Sequence, residues 1–181
     1  MKKILLLSIL LWTGWVSAQA IDLDKENRDP KYVESIVSRS QKIVDKLGIN
    51  DAKVAEDVRN VIANRYFTLN DIYETRDAKV KEIKESDLVG EAKNNALKAA
   101  EDAKDAALYR IHFAFPADLS LFLTEEQIEA VKDGMTYGVL KITYDSHLDM
   151  IPSLKKEEKA QIYAWLKEAR EFAIDAENSD R

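Results

Sequence analysis

The sequence predicts an all-α protein, a helical bundle built on a long antiparallel helix hairpin, with one short extended segment near residues 139–144. Only five glycines and three prolines interrupt 181 residues, so little stops a helix once it has begun. Apolar residues recur at three- and four-residue spacing over most of the length. The charged residues, 33 % of the chain, alternate in sign between those positions, as on helices wetted along one face.

Residues 1–20 differ in kind from the rest of the chain. Lys2 and Lys3 precede an apolar run from Ile4 to Val16, and the small residues Ser17, Ala18 and Ala20 come next. That is the order of a secretory signal peptide. The run is shorter than the roughly 20 residues of a membrane-crossing helix, and no later segment is comparably apolar, so no membrane span is expected in the mature chain. Ala18-Gln19-Ala20 fits the small-x-small cleavage rule, which makes Ile21 the new terminus; Val16-Ser17-Ala18 is the alternative. Without a single cysteine, the chain offers no thiol for a lipid and no disulfide. The expected location is periplasmic or secreted. Loss of Lys2 and Lys3 moves the formal net charge from -6 to -8, with the remaining bases scattered among acids. A nucleic-acid partner, which requires a clustered basic face, is not expected.

Along the mature chain, residues 21–29 are polar and aperiodic and are expected to form a flexible leader ahead of one helical domain at 30–176. Val33, Ile36, Ile43, Val44 and Leu47 predict a first helix ending at Gly48. Asn50 or Asp51 then caps a long second helix, with an inward stripe of Val54, Val58, Ile62, Tyr66, Leu69, Tyr73, Val80 and Ile83. After a turn at 87–90, a third helix carries Ala96, Ala100, Ala103, Ala107 and Ile111 and folds back on the second. It ends before Pro116, where a turn is expected. Thr124 with Gln127 has capping-box spacing and starts a helix running to about Met135. The β-branched and aromatic residues of 139–144 predict extended chain lying on the bundle. A short helix at 146–150 and a last helix at 156–175 follow, the latter with a stripe of Ile162, Trp165, Leu166, Ala169 and Phe172. Residues 177–181 are expected to be a disordered tail.

Chemistry is thinly signalled. His112 and His147 are the only histidines and share no ligand spacing, so no metal and no cofactor is expected. Asp145, Ser146, His147 and Asp149 are neighbours in sequence, whereas a catalytic triad converges through space, and no catalytic residue is assigned. The stretch from Val131 to Met150 stands apart, because glycines and polar groups there sit beside tyrosines on a rigid scaffold. Tyr137, Tyr144 and Trp165 offer flat apolar faces, and Lys132, Asp133, Thr136 and Asp145 offer hydrogen bonds. The candidate ligand-binding set is Lys132, Asp133, Thr136, Tyr137, Tyr144 and Trp165, with a carbohydrate as the expected ligand.

Leu123 to Gly138, read as Leu-Thr-Glu-Glu-Gln-Ile-Glu-Ala-Val-Lys-Asp-Gly-Met-Thr-Tyr-Gly, resembles an uncharacterised secreted family of Bacteroidetes. Thr143-Tyr144, Met150-Ile151-Pro152 and Glu168-Ala169-Arg170-Glu171 extend the resemblance over most of the mature chain. The family is described only as sugar-binding and tends to occur beside polysaccharide-degrading enzymes. The resemblance therefore implies a role in handling glycans outside the inner membrane, and with the leader and the aromatic-polar stretch the expected function is non-enzymatic carbohydrate binding. Lys155 departs from it, since relatives carry Thr there. Leu123-Thr124-Glu125-Glu126-Gln127 also resembles the helix start of periplasmic cradle-shaped chaperones, which implies, as the alternative, a chaperone-like or stress-related protein with a protein partner.

Overall fold

The computed structural model of the chain describes residues 20–176. The expected tail at 177–181 and all of the expected signal peptide except Ala20 lie outside the described residues. Within them the chain forms seven helices and no strand: α1 (Pro30–Val44), α2 (Ala52–Glu85), α3 (Gly90–His112), α4 (Ala114–Leu119), α5 (Glu125–Met135), α6 (Val139–Met150) and α7 (Lys156–Ala173).

Local side-chain chemistry starts three of these helices, α1, α2 and α5. The Asp29 carboxylate accepts from the backbone N–H groups of Lys31 and Tyr32, and Asp51 accepts from Lys53 and Val54. Both satisfy orphan donors of a first turn. Thr124 and Gln127 close a reciprocal capping box on α5. At α7 only half of that box survives. The N–H of Lys155 donates to Glu158 Oε2 at 2.7 Å, but an ammonium has no lone pair with which to answer.

α2, 34 residues and about 50 Å long, is the spine. α3 returns along it in antiparallel register. Lys93 Nζ donates to the Lys84 carbonyl at 3.1 Å, Arg76 to Glu101 at 2.9 Å and Arg65 to the Ile111 carbonyl at 2.8 Å. Of the alanines expected between the two helices, Ala100 is buried and Ala103 is exposed. The main core gathers Val58 and Ile62 of α2, Ile43 and Val44 of α1, Phe115 and Leu119 of α4, and Ile128, Val131 and Met135 of α5. α5 approaches α1 closely through Gly134, where an added Cβ would stand 3.0 Å from the Ile43 side chain.

Several expectations are corrected. Residues 139–144 are not extended but form the first half of α6, which also absorbs the expected short helix at 146–150. A lone segment without a partner strand satisfies its backbone groups only by coiling, despite its β-branched residues. The Ile142 N–H donates to the Gly138 carbonyl at 3.2 Å, and Lys141 pairs with Asp145 at 2.6 Å. The turn expected at Pro116 is the short helix α4, in whose first turn a missing N–H costs nothing. α7 faces inward along Ile162, Leu166, Arg170 and, just past its end, Ile174, while Trp165, Ala169 and Phe172 are exposed.

Of residues 21–29, expected as a flexible leader, 21–28 are laid along α2 and Asp29 caps α1. Asp57, Asn60, Asn64 and Asp71 recur down one helical face and hold them. The Ile21 N–H donates to Asp57 at 2.9 Å, Asn60 donates to the Ile21 carbonyl at 2.7 Å, and Asn64 donates to the Asp22 carbonyl at 2.8 Å. Arg28 completes the docking with two bonds of 2.7 Å to Asp71 and a position 4.7 Å above the Phe67 ring.

Candidate functional site

The α5–α6 turn is set by helix-end chemistry. The Gly138 N–H donates to the Asp133 carbonyl at 2.7 Å, the longer of the two loops that terminate a helix in a Schellman motif. In that motif the residue before Gly138 adopts the left-handed conformation, normally a glycine's role. Here it is Tyr137, with φ 56°, followed by Gly138 at φ 69°. A side chain at such a position costs about 1 kcal/mol. The Tyr137 ring that stands there is 61 % exposed.

That turn forms one wall of an open cleft of about 560 Å³. α1 supplies Tyr32, Ser35, Ile36 and Arg39, which share one helical face at spacings of three, four and seven. α2 supplies Tyr66, Leu69, Asn70 and Tyr73 by the same spacing, and Met135, Thr136, Tyr137 and Val139 come from the turn. Ala173 and Ala176 close the far side. Four of the chain's seven tyrosines therefore line one cleft.

Arg39 lies between two of them, its guanidinium carbon 5.5 Å from the Tyr66 ring centre and 5.9 Å from that of Tyr137. Among the described residues no carboxylate lies within ion-pairing distance of Arg39, whereas Arg28, Arg59, Arg65, Arg76 and Arg170 each meet at least one. Burial raises the Tyr66 hydroxyl to about 12 against the smaller opposing pull of Arg39, and burial likewise raises Tyr32. Both stay neutral hydroxyls, able to donate and accept.

The sequence-predicted residues divide. Thr136 and Tyr137 line the cleft. Lys132 and Asp133 face α7 instead, in an ion network around the buried Arg170. That guanidinium donates to Asp133 and Glu129, each at 2.6 Å, and to Glu171 at 2.9 Å. Lys132 Nζ adds 2.8 Å to Glu171 and 3.3 Å to Glu129. Tyr144 packs edge-on against Tyr163 at 5.2 Å, and Trp165 is exposed on α7; neither lines the cleft. Sequence reasoning missed Arg39, Tyr66, Asn70 and Tyr73 as site residues. Their signal was a row of hydroxyl, amide and guanidinium groups on the otherwise apolar inner faces of α1 and α2.

The histidines make structural contacts. His112 Nδ1 is 2.7 Å from Asp175, and His147 Nδ1 is 2.7 Å from the Thr143 carbonyl. Among the described residues no group of three or more His, Cys, Asp or Glu could hold a metal ion, and no helix is long and apolar enough to cross a membrane.

An all-α bundle with an open, tyrosine-lined cleft is the class of protein that fold and site define. Residues 33–181 match the family model described as a protein of unknown function, DUF3826, and the chain belongs to that family. No curated protein matches it.

Proposed function

We propose that this is an exported, non-enzymatic glycan-binding protein, and that the cleft between α1, α2 and the α5–α6 turn is its binding site. The observation that carries the reading is the placement of an exposed Tyr137 ring, in a left-handed conformation that costs stability, beside Arg39 and Tyr66. Local strain kept at a cleft is a mark of use. Tyrosine rings give flat apolar faces for the C–H faces of a sugar, while Asn70, Ser35 and Thr136 supply hydrogen-bonding groups. Arg39, which meets no carboxylate among the described residues, suits a sugar bearing one, because a guanidinium binds a carboxylate through paired hydrogen bonds. The proposal keeps Thr136 and Tyr137 and adds Arg39, Tyr66 and Asn70. Lys132 and Asp133 act behind them by fixing α5 on α7. The leader reading of residues 1–20 and the family resemblance supply the setting, outside the inner membrane and close to polysaccharide breakdown.

The test is calorimetry with uronate oligosaccharides and their methyl esters. Uronates are expected to bind at least about tenfold more tightly than the esters, a difference of about 1.4 kcal/mol. Arg39→Met is expected to erase that preference. Absence of binding to both sets defeats the reading.

A chaperone-like role is the second reading. It is favoured by the apolar side chains of Val139, Ile142, Met150, Trp165 and Phe172, all exposed on α6 and α7 or at their ends. Suppression of aggregation of an unfolded client at near-stoichiometric ratio supports it, and no suppression at several-fold excess removes it.

A further inference from the structure

A carboxylate withdrawn from water needs a partner, and Asp57 on α2 is 4 % exposed. Its Oδ1 accepts the Ile21 N–H at 2.9 Å, and its Oδ2 lies 3.2 Å from Lys53 Nζ. The Lys53 side chain is 60 % exposed, so most of its charge is spent on solvent. Ile21 is meanwhile held at three points. Its nitrogen is on Asp57, its carbonyl accepts from buried Asn60 at 2.7 Å, and its side chain packs against the main core. Ala20, one residue earlier, is exposed.

We propose that hydrolysis of the Ala20–Ile21 peptide bond completes this clamp, turning an amide into an ammonium that becomes the charge partner of buried Asp57. The reaction needs only water and a signal-peptide-cleaving peptidase. The water oxygen adds to the Ala20 carbonyl carbon, the C–N bond breaks, Ala20 leaves as a carboxylate, and the Ile21 nitrogen takes up protons to become an ammonium. That nitrogen already stands at hydrogen-bond distance from the carboxylate, so no rearrangement is required. Processing adds a full positive charge and two further donors at a site that carried one neutral N–H. The fold is thereby strengthened when the leader is removed and not before, which ties final stability to export. The proposal rests on cleavage after Ala20, because cleavage after Ala18 leaves an amide at Ile21.

Two chains, one beginning at Ile21 and one at Ala20, are released without extra residues from cleavable fusions and melted at pH 7, each also as Asp57→Asn. The chain beginning at Ile21 is expected to melt higher by about 3 °C or more. Asp57→Asn is expected to abolish that difference. Nα-acetylation of the chain beginning at Ile21 leaves Asp57 intact and is expected to lower its melting temperature by a similar amount. Mass spectrometry of the exported protein is expected to show Ile21 first. Equal melting of the two natural chains, a difference that persists in Asp57→Asn, an inert acetylation, or an exported chain beginning at Gln19 each overturns the proposal.

Discussion

Replacing Tyr137 by Gly and, separately, by Ala separates what the ring does from what the backbone endures. Both variants remove the ring, so the loss of its partial burial and of its contact with Arg39 is common to the two and cancels. They differ only at Cβ. At φ 56° a Cβ costs about 1 kcal/mol, which Ala retains and Gly escapes. Against this, Gly brings a more flexible unfolded chain, a penalty of roughly 0.5 kcal/mol. The relief of strain is the larger effect, so Tyr137→Gly should exceed Tyr137→Ala in stability by about 0.5 kcal/mol. Inside a regular helix the order is reversed by about 1 kcal/mol. Urea denaturation followed by helical circular dichroism reads the difference directly. Sugar binding, measured by calorimetry, should fall at least tenfold in both. An Ala variant as stable as the Gly variant refutes the strain argument, and undiminished binding in both refutes the placement of the ring in the site.

Two other contacts give stability predictions. Asp175 pairs with Arg65, whose side chain is 4 % exposed, and with His112; Asp175→Ala strands the guanidinium and should cost about 3–5 kcal/mol in urea unfolding. A loss below about 1 kcal/mol refutes that account. Burial alone would raise Glu129, but hydrogen bonds from Arg170 and Lys167 outweigh it and hold the carboxyl down to about 2. A lowered folded value contributes stability that is present above the unfolded value, roughly 4.3, and is lost as pH falls toward about 2. Because the Glu129 side chain is 35 % exposed, solvent screening reduces the contribution to about 1 kcal/mol. The natural chain should lose about that much more than Glu129→Gln between pH 5 and pH 2, and parallel pH profiles would contradict it.

The sequence by itself determined where α1, α2 and α5 begin and the hairpin that α2 and α3 form. Asp29, Asp51 and Thr124 bond to backbone groups two or three residues away, and such short-range chemistry is written in adjacent letters. Tertiary structure decided the rest. Val139 to Tyr144 carry strand-forming side chains, yet with no strand among the described residues to pair with, the complete set of backbone hydrogen bonds is helical. The apolar periodicity of α7 fits two faces nearly equally well. The carboxylates of α5 selected the one bearing Arg170, because Glu129 and Asp133 are there to receive a buried guanidinium, and Trp165 and Phe172 were turned outward as a result. In the same way Lys132 and Asp133 were drawn into that network, while Tyr137 was left at the cleft beside Arg39, 98 positions earlier in the chain. Spacing along the chain reveals which face a residue shares; it does not reveal which other face comes to meet it, because that choice is made by burial and charge pairing between segments far apart in sequence.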